Sequence, residues 1–301
     1  MKRRILAMVM TIAMGTMMFA GCGAEETSDS ADATPKTETA EATESETAGA
    51  DEATESTGEM GPILSKIKES GKLVVGTASG YPPYEFVDIT SADQAVIGVD
   101  MELAQAIADE LGVELEIQDM TFSSLLASIP AGTIDMAIAG VSPTDERKET
   151  MDFSDSYLFA DQVVIINKAD ADKYKTFDDL KGITLAAEKS TTQEALVQEL
   201  LPDNKLVSLE HVPECILELK NGKVDGVVVE SIVGEQYILA DDTLQFADAN
   251  FDRQKESAIV MDKGNEDLLE IVNKVIKENQ DAGNFDTWVT KYSEIVVNNA
   301  Q

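Results

Sequence analysis

The sequence predicts an α/β fold built as two similar lobes with a ligand cleft between them. From Leu73 onward, short apolar runs alternate with segments of helical periodicity, which is the pattern of an α/β chain. The alternation runs through two successive sets, and a helical tail follows. We expect one lobe to comprise 61–161 and 252–301, and the other 162–251. Two such lobes side by side imply a cleft between them, where ligands of these sheets bind.

Residues 1–21 have the features of an export signal. A basic start, Lys2 to Arg4, precedes an apolar run from Ile5 to Ala20 that is too short and interrupted for a comfortable membrane span. The following stretch, Phe19-Ala20-Gly21-Cys22, resembles the bacterial lipobox, in which the cysteine becomes the acylated first residue of the mature chain. We therefore expect Cys22 to be lipidated; the alternative is an ordinary signal peptide with a chance cysteine.

Residues 22–60 are predicted to be a disordered, acidic linker. From Gly23 to Met60 the chain contains no Val, Ile, Leu, Phe, Tyr or Trp, and twelve acidic residues accompany a single lysine, Lys36. Such a segment buries too little apolar surface to offset its ordering entropy, and its like charges keep it extended. A signal, a cysteine and a solvated spacer together predict a domain tethered to the extracytoplasmic face of the cell membrane.

The charge of the chain restricts its partners. The 57 acidic residues outnumber the 23 basic ones, and the formal net charge is −34. This balance argues against nucleic acid or anionic lipid as a partner. His211 is the only histidine, so a histidine-based zinc site or catalytic triad is not expected. We expect a monomer that needs no metal and no cofactor.

The first set of elements reads β-α-β-α-β. The apolar positions of 98–112 fall on one helical face, and Gly112 stands where a C-terminal cap belongs. The predicted strands are 73–77, 113–117 and 134–139, and the predicted helices are 98–112 and 122–130.

The second set repeats this architecture without repeating its sequence. It is followed by one more strand and two helices, which we assign to the first lobe. The predicted strands are 163–166, 183–187, 206–208, 224–229 and 257–261, and the predicted helices are 193–201, 213–220, 266–280 and 285–292.

Two predicted helix starts could attract an anion. Ser142 is a favourable N-cap residue, Pro143 fits the first helical position, and Asp145 completes a pattern like a capping box. Arg147, one turn into this helix, can bind a carboxylate with two parallel hydrogen bonds. The second start, Thr191-Thr192-Gln193-Glu194, has the spacing of a capping box. A capped helix with a surface arginine would explain the first pattern equally well on physical grounds alone.

The motifs resemble those of the family 3 solute-binding proteins, the amino-acid receptors of ABC importers. Gly98-Val99-Asp100-Met101-Glu102-Leu103 resembles the signature of this family. The more specific match is the run Gly140-Val141-Ser142-Pro143-Thr144-Asp145-Glu146-Arg147, where family members bind the α-carboxylate of their ligand. The resemblance extends from about Lys72 to Tyr292 and implies a periplasmic-binding-protein-like clamp that closes by hinge motion.

The resemblance also implies roles for individual residues. Glu230 follows the strand at which the family places the acid that holds the ligand α-ammonium. Tyr81 and Phe122 match the aromatic walls of the family pocket, whereas Tyr84 and Phe86 are expected in the core. Further residues are expected at the ligand; they are Gly140, Ser142, Arg147, Thr191 and Thr192.

Ligand selectivity depends on a single acidic candidate. Receptors for basic or amide side chains often carry an acid where this chain has Ala78, and Glu188 could replace it. With Tyr81 and Phe122, such a pocket would suit an arginine- or lysine-like side chain, including by cation–π contact. A glutamine-like amide is the alternative.

The predicted function is capture of a polar L-amino acid, basic or glutamine-like, outside the cell and its delivery to an ABC permease, without enzymatic activity. Two alternatives use the same fold. One is an exported dehydratase of the cyclohexadienyl type, which needs one carboxylic acid as proton donor; Glu188 or Glu230 could supply it. The other is a ligand-sensing partner of a membrane receptor.

Overall fold

The computed structural model describes residues 60–299, with the side chain of Asn299 left out. The predicted signal peptide, Cys22 and the linker up to residue 59 lie outside these residues. The strands are β1 Lys72–Thr77, β2 Phe86–Val87, β3 Val96–Ile97, β4 Glu114–Asp119, β5 Met136–Val141, β6 Met151–Phe153, β7 Leu158–Asn167, β8 Thr184–Glu188, β9 Lys205–Leu209, β10 Gly226–Glu230, β11 Leu244–Phe246 and β12 Gln254–Asp262. The helices are α1 Pro62–Ser70, α2 Val99–Leu111, α3 Phe122–Ser128, α4 Asp145–Lys148, α5 Thr192–Leu200, α6 Val212–Lys220, α7 Ser231–Ala240, α8 Glu266–Asp281 and α9 Asn284–Asn299.

The main sheet has the strand order β4-β1-β5-β12-β7-β10-β8-β9, with β6 beside β12 and β11 beside β7. Strands β1, β4 and β5 are mutually parallel, and so are β8, β9 and β10. We call the part around the first three strands the first half, and the part around the other three the second half. The predicted two-lobed α/β fold is confirmed.

The long antiparallel strands β7 and β12 connect the two halves. The start of β12, from Gln254 to Ser257, pairs with the start of β7, while its end pairs with β5. Strand β7 continues beyond this pairing and lies beside β10 from Gln162 to Ile165. The chain therefore crosses between the halves on two strands of one continuous sheet.

Buried apolar residues form the core on both faces of the sheet. In α2, the predicted apolar face is buried, including Leu103 and Ile107, and Gly112 caps the helix in the left-handed conformation. The free Cys215 is buried in α6. Within the described part of the chain, no helix is both long and apolar enough to cross a membrane.

Strand limits differ from the predictions mainly where polar residues continue a strand. Strand β12 begins at Gln254, three residues before the predicted start, because Lys255 and Ser257 continue its buried face. Strand β5 is displaced towards its C-terminus and includes Gly140. Both differences bring residues into the strands that border the pocket described below.

The segment 80–86, which follows β1 and is called the aromatic turn here, is held by the start of α2. The amide of Val99 donates to Pro83 O at 3.0 Å, and the amide of Asp100 donates to Tyr84 O at 3.0 Å. Gly98 has φ 145°, and a Cβ at this position would lie 2.0 Å from Tyr84 O. Only glycine therefore allows this close approach of the two segments.

Candidate ligand-binding site between the two halves

A narrow pocket lies between the halves. The carboxyl ends of β1, β5, β8 and β10 approach one another there, which is where ligands of α/β sheets bind. Except for Glu230, every predicted ligand-binding residue lines this pocket. These residues are Tyr81, Phe122, Gly140, Ser142, Arg147, Glu188, Thr191 and Thr192.

Arg147 lies at one end of the pocket. Its Nη1 donates to Ser142 O at 2.9 Å and its Nη2 donates to Ser190 O at 2.9 Å, so that the guanidinium bridges the two halves. Its Cζ lies 5.5 Å from the centroid of the Phe122 ring. Burial lowers the pKa of Arg147 to about 10, while Glu146 raises it, so the side chain remains a cation at neutral pH.

The predicted N-cap at Ser142 is wrong. Helix α4 begins at Asp145, and its N-cap is Thr144, whose hydroxyl accepts a hydrogen bond from the Arg147 amide at 3.3 Å. Thr144 has the extended backbone of an N-cap, whereas Ser142 directly follows β5 and its Oγ lies 3.4 Å from Thr192 Oγ1. The helix is a single turn, so the Arg147 side chain rather than a helix dipole supplies the positive charge here.

The start of α5 agrees with its predicted capping pattern. Thr191 Oγ1 accepts a hydrogen bond from the Glu194 amide at 3.2 Å, and Glu194 Oε2 accepts one from the Ser190 amide at 2.7 Å. This reciprocal pair fixes the loop after β8, so that Thr192 opens α5 beside the pocket.

Glu230 lies at the other end of the pocket and is completely buried. Its Oε1 accepts a hydrogen bond from Tyr81 Oη at 2.7 Å, and its Oε2 accepts one from Tyr84 Oη at 3.1 Å. Burial and the Glu230 charge raise the pKa of both tyrosines well above the usual value, so both remain hydrogen-bond donors. Arg147 thus lines the pocket directly, whereas Glu230 lies behind the lining residues Tyr81 and Lys255. Tyr84 is in the core, as predicted, but its hydroxyl also supports the site.

Sequence reasoning missed Lys255. Its Nζ forms an ion pair with Glu230 and donates to Gly140 O, and both partners are buried. Gly140 has φ 53°, and a Cβ there would lie 3.3 Å from Lys255 Nζ, so a side chain would crowd the ammonium. The available signal was alternation, because Lys255 has the same parity along β12 as the buried Ser257 and Ile259.

A second feature that sequence reasoning missed is the buried acid pair formed by Glu85 and Asp100. Asp100 Oδ2 accepts hydrogen bonds from the Gly140 amide at 3.1 Å and from Tyr157 Oη at 3.0 Å. Burial raises the pKa of Asp100 to about 6, despite these bonds. Burial, the Asp100 charge and a hydrogen bond to Asp100 raise the pKa of Glu85 well above its usual value.

Glu188 ends β8 and lines the pocket, as the selectivity hypothesis requires. Burial raises its pKa to about 8; the Lys255 charge opposes this shift, and Glu210 and Glu214 add to it. In the ligand-free pocket at neutral pH, Glu188 is therefore largely protonated. A cation placed beside it would favour the ionised form.

Comparisons with known proteins agree with this geometry. The arginine-binding extracellular protein ArtP of Bacillus subtilis is 33% identical over 231 residues, which are 74% of this chain and 88% of the relative. A substrate-binding protein of an amino acid ABC transporter from Streptococcus pneumoniae, solved with L-arginine bound, is 36% identical with a TM-score of 0.76. The match covers 77% of this chain and 99% of that one.

A second similar structure relates the fold to an enzyme. It is an ancestral amino acid-binding protein described as a precursor of cyclohexadienyl dehydratase. It is 32% identical with a TM-score of 0.70, and the match covers 76% of this chain and 98% of that one.

The family itself is shown by a match over most of the chain. Residues 73–295 match the model of the bacterial extracellular solute-binding proteins, family 3. This range contains the pocket, both of its charged ends and nearly all of the sheet. Because the family is extracellular, the match places the chain outside the cytoplasm. The protein belongs to the bacterial extracellular solute-binding proteins of family 3.

Proposed function

We propose that this protein captures a free L-amino acid with a cationic side chain, arginine first, and delivers it to an ABC permease. One observation carries the proposal: Arg147 lines the pocket, and Tyr81, which also lines it, donates a hydrogen bond to the buried Glu230. The carboxylate and the ammonium of a zwitterion would then each have a nearby group of opposite charge. Ser142 and Thr192, which lie 3.4 Å apart by their hydroxyls, would add hydrogen bonds to the carboxylate.

The composition of the pocket supports a cationic side chain. Tyr81 and Phe122 line it together with the acids Glu85 and Glu188. A guanidinium can stack on an aromatic face and form charge-assisted hydrogen bonds with a carboxylate. Receptors for arginine among the similar proteins are consistent with this choice. A glutamine-like ligand would use the same walls but would bring no cation to favour the ionised form of Glu188.

The mode of capture would be hinge closure. The halves are joined by β7 and β12, and ligand contacts come from both halves. A ligand that contacts both halves stabilises the closed state, because it makes more contacts in that state than in the open one. We retain 61–161 with 252–301 and 162–251 as the predicted lobes. We also propose that lipidated Cys22 and the acidic linker tether the domain as a monomer to the extracytoplasmic face of the membrane.

The ligand can be tested with the purified protein and the twenty amino acids. Thermal unfolding should shift upward most with arginine, because a ligand that binds only the folded state raises stability by mass action. Calorimetry should then give one site per chain. A flat response to all twenty would contradict the proposal. Co-purification with a permease, or loss of uptake on deletion, would separate transport from sensing.

A second candidate function is dehydration of a prephenate- or arogenate-like acid. Two observations favour it: a neighbour in fold is a precursor of a dehydratase, and Glu188, with its pKa raised to about 8, is a pocket carboxylic acid that could donate a proton. We expect no turnover of prephenate in a spectroscopic assay, because it has no ammonium to pair with Glu230. Arogenate carries both groups of a zwitterion and is the more stringent substrate for the same assay. Turnover abolished by Glu188→Gln would favour the enzyme instead.

A further inference from the structure

The Lys255 ammonium occupies the position that the proposed function gives to the ligand. It contacts Glu230 Oε1 and Gly140 O, and Lys255 is itself 7% exposed. We infer that Lys255 is an internal competitor: its ammonium stands in for the ligand α-ammonium at Glu230, and binding requires its displacement. This inference rests on the proposed function and adds a residue that sets both affinity and selectivity for ligands with an α-ammonium.

Glu230 has no room for two cations. Its Oε1 already accepts from Tyr81 and Lys255, its Oε2 accepts from Tyr84, and the carboxylate is completely buried. Two ammonium groups beside one carboxylate would leave a net positive charge at a buried site, where water screens charges poorly. A buried charge without a partner is strongly destabilising. Arrival of one ammonium therefore requires departure of the other.

The same pocket offers the displaced lysine a second acceptor. Among the described residues, Glu85 Oε2 and Asp100 Oδ1 are buried side-chain oxygens that receive no hydrogen bond from outside the acid pair itself. Glu85 lines the pocket together with Lys255, and the Lys255 charge already acts on both acids, since it lowers the pKa of each. A lysine has three donors on a flexible stem and can turn from one acid to another.

The selectivity follows from this exchange. A ligand with an α-ammonium replaces what Lys255 gave to Glu230. Removal of the competitor therefore increases the apparent affinity by a factor equal to the reciprocal of the fraction of pockets that had been unblocked. A ligand without an ammonium leaves the ion pair of Lys255 and Glu230 intact. For that ligand, removal of Lys255 leaves Glu230 buried without a cation and brings no gain.

The test compares two ligands and three proteins by calorimetry. The ligands are arginine and 5-guanidinopentanoate, which lacks the α-amino group; the proteins are the wild type, Lys255→Met and Lys189→Met. Lys189 is a matched control, since it is an exposed lysine that pairs with Glu210 at 3.0 Å outside the pocket. Lys255→Met should bind arginine about tenfold more tightly, equivalent to about 1.4 kcal/mol, and should not bind the analogue more tightly. Lys189→Met should change neither affinity by more than about twofold.

Several outcomes would overturn the inference. Equal strengthening of both ligands in Lys255→Met would indicate a general charge effect, and unchanged or weaker arginine binding would make Lys255 a structural residue. If Lys255→Met does not fold, Lys255→Gln carries the same expectation, because its amide is neutral. Failure of the wild type to bind any amino acid would refute the proposed function as well, whereas arginine binding without the ligand-dependent change would refute only the role of Lys255.

Discussion

The two ends of the pocket are built differently. At the carboxylate end, Arg147 is held by the backbone carbonyls of Ser142 and Ser190 and is partly exposed. At the ammonium end, Glu230 is completely buried and held by side chains from distant segments, Tyr81, Tyr84 and Lys255. We infer that the first end can change with little cost to the fold, whereas the second end is part of its core.

Glu230→Ala should have the largest effect and should separate the two ends most clearly. Removal of the carboxylate leaves Lys255 as a buried cation without its partner, so we expect a loss of about 3–5 kcal/mol in the free energy of unfolding together with loss of ligand binding. Denaturant unfolding measures the first and calorimetry the second. Wild-type stability in this variant would mean that the ammonium end is not a structural element.

Arg147→Ala should affect binding and spare the fold. Loss of one partner of a charged hydrogen-bonded contact costs about 2–5 kcal/mol of binding free energy, so arginine affinity should decrease by at least about 30-fold. The unfolding free energy should change by less than about 1 kcal/mol, since the guanidinium is partly exposed. Arg253→Ala, an exposed arginine of the same chain, is the matched control and should bind normally. Equal binding by both variants would refute the role of Arg147.

Glu188 should make the stability of the ligand-free protein depend on pH. Its pKa is raised from 4.5 to about 8, so between these values the folded state retains a proton that the unfolded state has lost. Stability therefore decreases as pH rises through this range and is constant, for this group, on either side. Between pH 5 and pH 8, the free energy of unfolding should decrease less in Glu188→Gln than in the wild type, by about 2 kcal/mol or more. A smaller dependence of stability on pH should remain in this variant, because the pKa of Asp100 is raised to about 6. An identical slope in the variant would contradict this assignment.

Thr191→Ala should have the smallest effect, because it changes the support of the carboxylate end rather than a charge. Loss of the N-cap hydroxyl of α5, which accepts from the Glu194 amide, should cost about 1 kcal/mol of stability. Thr191→Ser retains the hydroxyl and should restore most of it. A thermal unfolding series of the three proteins makes the comparison, and equal melting temperatures would show that the cap does not stabilise the loop.

The two ends also differ in how far the sequence predicts them. The carboxylate end lies within short segments, 140–147 and 190–194, so local spacing indicates its residues. The exact N-cap escaped prediction because Ser142 and Thr144 are both suitable hydroxyl residues, and only the end of β5 decides between them.

The ammonium end depends on contacts between residues far apart in the chain. The family resemblance indicated Glu230, but its ion pair with Lys255 requires β12 to lie across both halves. The acid pair of Glu85 and Asp100 likewise forms only when the aromatic turn meets α2. Periodicity predicts that such residues are buried but not which charges they meet.

The return of the chain to the first half on β12 affects the order in which the protein can be assembled during synthesis. Helices α8 and α9 follow β12 and pack on α2, with Lys274 bonded to Glu110 at 2.6 Å and Lys291 to Glu102 at 2.6 Å. The second half thus has all its strands before the ribosome has made the last elements of the first. A nascent chain stopped before residue 254 would therefore expose the apolar face of α2, and the pocket would lack Lys255 until the final fifth of translation.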